Sequence, residues 1–147
     1  MARGSHMTQR YGGLSGSFEL QLAEFAAQAK DAVDVSLREI IVKIGMSLIS
    51  MSPVDTGRFR GNWQFSIGAP AGGTLDTLDP TGEEATARLV GDSIEFRAGT
   101  TAFIVNNLPY AVPLEYGHSD QAPGGMVRIT QARFQQIVLE AIRNNQV

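Results

Sequence analysis

Asp55-Thr56-Gly57 is the first group in this 147-residue chain whose type and spacing could do chemistry. The tripeptide supplies the activating carboxylate of aspartic peptidases, some of which are homodimers of subunits this small. Those enzymes need two such carboxylates sharing a proton, so a chain with one copy has to dimerise about that loop. They also flank the tripeptide with apolar strand residues, whereas here Pro53 precedes it and Arg58-Phe59-Arg60 follows. The plainer expectation is a turn: Asp55 caps local N–H groups, Gly57 takes a positive φ, and the chain reverses from helix into strand. Arg58 and Arg60, with Trp63 nearby, could offer phosphate a small basic and aromatic patch. The same arginines suit a protein interface, because the planar guanidinium binds carboxylate bidentately. Glu115, His118 and Asp120 place three acid–base or hard-metal groups within six residues. A zinc or iron site draws more histidine than this, so no metal or other cofactor is expected, and the three groups read as loop-ordering hydrogen-bond partners.

Composition narrows the classes. The chain has 12 Lys and Arg against 15 Asp and Glu, a net charge of −3, 43% hydrophobic residues and no cysteine. That excludes disulfides, Cys-ligated metal and thiol catalysis, and suggests one soluble domain. Gly4-Ser5-His6-Met7 reads as the scar of an affinity tag, so residues 1–7 are taken as a tag remnant and 8–147 as a single domain. A net acidic chain is a poor candidate for nucleic-acid binding, and no apolar stretch reaches the ~18 residues of a membrane span.

The elements that must position these residues follow from periodicity. Phe18, Leu22, Phe25, Ala29, Val33, Leu37, Ile40, Ile44, Leu48 and Met51 recur every three or four residues, which predicts a helix. Ser17 is its expected N-cap, Glu19 suits the first turn, and Ser52-Pro53 is its stop. At about 50 Å it exceeds what a small domain needs, so either Gly45 bends it or one end projects toward a neighbour. Trp63, Phe65 and Ile67 alternate with Gln64, Ser66 and Gly68 as in a strand with one buried face. Gly68 to Gly82 holds four Gly, two Pro and two Asp, the composition of a long mobile loop. Glu83 to Phe96 fits either a helix entering a strand or a broken strand pair. Ala102 to Val105 reads as a central strand and Tyr110 to Gly117 as one helical turn stopped by Gly117. Thr130 is the expected cap of a last helix carrying Phe134, Ile137, Val138, Ala141 and Ile142, with Arg143 in its final turn. The order predicts an α+β fold: a long N-terminal helix and a C-terminal helix packed on one face of a small antiparallel β-sheet.

Two segments carry a resemblance. Ser52-Pro53-Val54-Asp55-Thr56-Gly57-Arg58-Phe59-Arg60-Gly61-Asn62-Trp63 and Asn106-Asn107-Leu108-Pro109-Tyr110-Ala111, continuing through Leu114-Glu115-Tyr116-Gly117-His118-Ser119, occur in order between a long helix and a last helix. A loop, Gln121-Ala122-Pro123-Gly124-Gly125-Met126-Val127, follows the second. The chain from about residue 18 to 143 thereby resembles the tailed-phage minor tail, or neck, proteins related to the lambdoid tail-completion protein Z. The resemblance implies a non-enzymatic virion protein at the head-proximal end of the tail, assembled in the host cytoplasm and needed for head–tail joining. It also implies a self-assembled ring, often sixfold, set between tail-tube or terminator proteins and head-connector proteins. A ring built head to tail uses two different patches on each subunit, one expected to contain Arg58 and Arg60 and the other carboxylates. Partner contacts are expected at Arg58, Arg60, Trp63, Tyr110, Glu115 and His118. A tail terminator has the same size and oligomeric logic, and a dimeric aspartic peptidase is the enzyme alternative.

Overall fold

A computed structural model describes residues 15–146; the tag reading of residues 1–7 lies outside them. The apolar repeat folds as one helix, α1 (Ser15–Met51), about 55 Å long at 1.5 Å per residue. It is already helical at Ser15, so Ser17 lies inside it rather than capping it. Gly45 does not interrupt α1. It makes room for Leu89, whose Cδ1 would lie 3.0 Å from any Cβ added there. The apolar stripe divides in two: Leu37, Ile44, Leu48 and Met51 pack into the core, where Ile41 and Ile49 join them, whereas Leu22, Phe25 and Val33 are exposed.

A short helix, α2 (Arg58–Gly61), leads into β1 (Gln64–Ile67). β1 pairs antiparallel with β2 (Ala102–Val105), with Phe65 opposite Ile104 and Ile67 opposite Ala102. These four side chains turn one face of the ribbon toward the core. β2 is not a central strand, because the sheet has two strands among the described residues. Its run reads as continuous because Phe103 and Val105, on the other face, are also half-buried. The segment left open by periodicity is a helix, α3 (Glu83–Ser93), with Ala85 and Leu89 in the core. Its first turn is capped by Asp79, which accepts the Gly82 and Ala85 N–H groups at 3.1 and 2.9 Å. Glu83 and Glu84 there complement the helix dipole.

After α4 (Ala111–Glu115), the C-terminal part forms α5 (Val127–Ala132) and α6 (Phe134–Asn144). Thr130 is inside α5 rather than at a cap, and its hydroxyl bonds Ser47 of α1 at 2.7 Å. α6 packs along α1 through its buried Ile137 and Ala141. Lys43 joins Glu39 and Glu140 at 3.3 and 3.2 Å, and Asn144 and Asn145 donate to Glu39. The architecture is α+β: α1 and α3 cover the apolar face of the ribbon, and α6 lies outside against α1.

The 68–81 stretch has no regular element, as its composition predicts, yet polar side chains pin it. Buried Asn62 accepts from Leu75 N at 2.7 Å and donates to Leu75 O at 2.9 Å. Asn107 donates to Ala71 O and Gly73 O, both at 2.9 Å. The expectation of mobility rested on missing apolar burial; these hydrogen bonds anchor the loop instead.

Gly57 has φ +91°, and a Cβ there would collide with Pro80 N and come within 2.7 Å of Asp79 C. Gly57→Ala is therefore expected to cost roughly 1–3 kcal/mol, read as a lower urea midpoint with an unchanged slope.

Candidate docking cleft

The two resemblance segments begin some fifty residues apart in sequence and close on one another in space. Where α1 ends, Ser52 Oγ donates to Leu48 O and accepts the Trp63 indole N–H, both at 2.7 Å. Arg60 donates to Ser50 O at 3.2 Å, Ser52 O at 2.7 Å and Pro80 O at 2.9 Å. The bonds to Leu48 O, Ser50 O and Ser52 O occupy carbonyls at and just beyond a helix C-terminus, which are otherwise left without partners. They fix the Pro53–Gly57 turn. Thr56 Oγ1, rather than Asp55, accepts the Arg58 N–H, at 3.3 Å; Asp55 is exposed on the bend.

The second segment is held against this turn from two sides. Gln121 receives Val54 N–H at 2.8 Å and donates to Val54 O at 3.0 Å, a side-chain amide pairing as a strand would. Asn106 donates to Phe59 O at 2.9 Å. Between the segments lies a cleft of about 320 Å³, rimmed by Asp55, Thr56, Arg58, Tyr110, His118 and Ser119. Buried Phe59 forms its floor, with its ring centroid 6.0 Å from that of Tyr110. An aromatic floor inside a rim of carboxylate, hydroxyl, imidazole and guanidinium groups has the anatomy of a protein-docking site.

Glu115 turns the other way. Its carboxylate accepts the N–H groups of Met126, Val127 and Arg128 at 2.8, 2.8 and 3.0 Å, and Arg128 Nε at 3.2 Å. It thus caps α5 from eleven or more residues upstream. Arg128 also donates to Glu115 O and lies over the Tyr116 ring, 5.0 Å from its centroid. Burial pushes the Glu115 carboxyl up, but the donors at Val127, Arg128 and Met126 outweigh it and hold the group below the usual carboxylate range.

Of the residues expected to meet partners, Arg58, Tyr110 and His118 share the cleft with Asp55-Thr56-Gly57. Trp63, Arg60 and Glu115 do not. Trp63 is only 8% exposed and packs edge-on to Phe59, so it is a core residue. Arg60 spends both terminal nitrogens, and Glu115 its carboxylate, on backbone groups of the fold. Arg58 reaches Asp76 at 3.8 Å and stays accessible. Among the described residues no three acidic or histidine side chains gather as a metal site. Asn62, Gln121 and Arg128, which periodicity does not single out, hold the cleft together.

No family model, no curated protein and no solved structure matches the chain.

Two predictions separate rim from scaffold. Arg58→Glu should change the unfolding free energy from urea titration by less than about 1 kcal/mol, because it loses only an exposed ion pair to Asp76 and a long bond to Leu75 O. Arg60→Ala should cost roughly 1–3 kcal/mol by stranding its carbonyls. The depressed carboxyl of Glu115 binds fewer protons folded than unfolded, so its stabilisation is present above the usual carboxylate range and lost as pH falls through the folded value. Glu115→Gln should flatten the acid limb of stability against pH and lower stability near neutrality, both measured by urea titration.

Proposed function

We propose that this chain is a non-enzymatic virion protein of the phage neck: a tail-completion protein that enables head–tail joining as a ring at the head-proximal end of the tail. The observation that carries the reading is the convergence of the two resemblance segments on one cleft. Both segments supply its lining, Pro53 to Phe59 from the first and Tyr110, Leu114, His118 and Ser119 from the second. A cleft with an aromatic floor and a mixed polar rim accepts an element of a neighbouring subunit, and the net acidic chain does not favour DNA as that neighbour. No helix among the described residues is long and apolar enough to cross a membrane. Asp55 is exposed on a bend beside helix α2, which is not the buried, strand-flanked setting in which paired peptidase carboxylates share a proton.

The test is negative-stain microscopy of a lysate from the parent phage with an early stop codon in this gene. Normal-length tails lying free beside filled heads are the expected result. Tails of overrun, variable length would make the protein a terminator, and intact infectious particles would overturn the structural role altogether.

A further inference from the structure

The two-stranded ribbon leaves the outer edge of β1 without a strand partner among the described residues. Gly68 N–H bonds Thr101 O at 2.8 Å, which fixes the alternation of the ladder. Gln64, Ser66 and Gly68 turn their main-chain groups toward β2, so Phe65, opposite Ile104, turns its N–H and C=O outward. No hydrogen bond within the described residues takes up either group. That edge meets a partly open cavity of about 160 Å³ between β1 and α3. The lining includes both Gln64 and Phe65, whose side chains leave opposite faces of the strand, so the cavity touches the main-chain edge itself. Buried Ile49, Trp63 and Leu89 supply an apolar wall, which half-buried Leu75 and Ile104 extend. The polar donors of the lining are already engaged: Gln64 donates to Gly73 O at 3.0 Å and Arg88 to Gly61 O at 2.7 Å. Arg88 and Asp92 contribute one charge of each sign, so the cavity favours neither an anion nor a cation.

We propose that this cavity binds a small neutral aromatic carboxamide, its ring among Trp63, Leu75 and Leu89 and its amide paired with Phe65 N–H and C=O. A cavity of roughly 150 Å³ with apolar walls accommodates a benzene ring. The N–H and C=O of one extended residue present a donor and an acceptor side by side, and a primary amide matches both. This chain makes the same pairing twice with its own side chains. Gln121 pairs with Val54 at 2.8 and 3.0 Å, and Asn62 pairs with Leu75 at 2.7 and 2.9 Å. Phe65 offers the same two groups beside a space of ring size. Occupation would tie β1 to the 68–81 stretch, because Leu75 is both an anchor of that stretch and a wall of the cavity. The site is separate from the docking cleft and independent of the neck role.

The probe is benzamide, titrated into the whole protein and followed by amide NMR. A saturable shift of the Phe65 amide resonance is expected, with affinity at least about tenfold above that for benzene, since two hydrogen bonds are added. Methyl benzoate, which keeps the ring and an acceptor but has no N–H, should bind more weakly than benzamide. Leu75→Phe fills the cavity and leaves the main-chain bonds to Asn62 in place, so it should abolish binding without lowering the urea midpoint. The Phe65 shift in the unmodified protein decides the matter even if that variant does not fold. Equal affinity for benzene and benzamide would overturn the amide pairing. No saturable shift, shifts confined to residues away from Phe65, or undiminished binding to Leu75→Phe would each overturn the site.

Discussion

The carbonyls at the C-terminus of α1 are the constraint on which the rest of the structure depends. A helix end has to give its last carbonyls partners, and here the segment that follows supplies them from within its own next ten residues. Ser52 bonds Leu48 O, and Arg60 reaches back to Ser50 O and Ser52 O. Trp63 then donates to the Ser52 hydroxyl from the start of the sheet. One cluster thereby sets the exit direction of the chain, the conformation of the Asp55-Thr56-Gly57 bend and the entry of β1. Phe59, fixed between Arg58 and Arg60, becomes the floor of the cleft as a consequence.

The opposite wall is positioned with equal economy. Glu115 gathers three backbone N–H groups and a guanidinium, and Gln121 imitates a strand against Val54. Neither device uses regular secondary structure. Both replace the missing sheet with side chains whose geometry is fixed by being fully hydrogen-bonded. This is how a protein with a two-stranded ribbon can still present a shaped cleft.

These mechanisms also explain what could be read from the sequence. The apolar periods located α1, both strands and the last helix, because each reports a buried or half-buried face. They could not say what covers a face, and the half of the α1 stripe that stays bare looks like the half that does not. Arg58 and Arg60 are the same residue type two positions apart, yet a helical turn points them about 200° from one another. One lands on the rim of the cleft and the other on the backbone that follows α1. In sequence Trp63 looks like a contact residue because aromatic and basic side chains lie together, whereas its indole N–H is bonded to Ser52 in the core. Asn62 and Gln121 leave no trace in any periodicity, since a polar side chain bonding distant backbone depends on tertiary approach alone. The helix at Glu83 is settled by its capping Asp79 and the two glutamates of its first turn, where the apolar pattern alone fits two structures equally.

The seam between α1 and α6 has a consequence for how the protein is made. Its ties join residues far apart in the chain: Lys43 to Glu140 across 97 positions and Glu39 to Asn145 across 106. A ribosome adding about 5–20 residues per second needs on the order of 5–20 s to pass from one side of that seam to the other. Throughout that interval the nascent α1 is exposed, amphipathic and without the helix that will cover part of it. An element made about a hundred residues before its seam partner is thus completed late in synthesis.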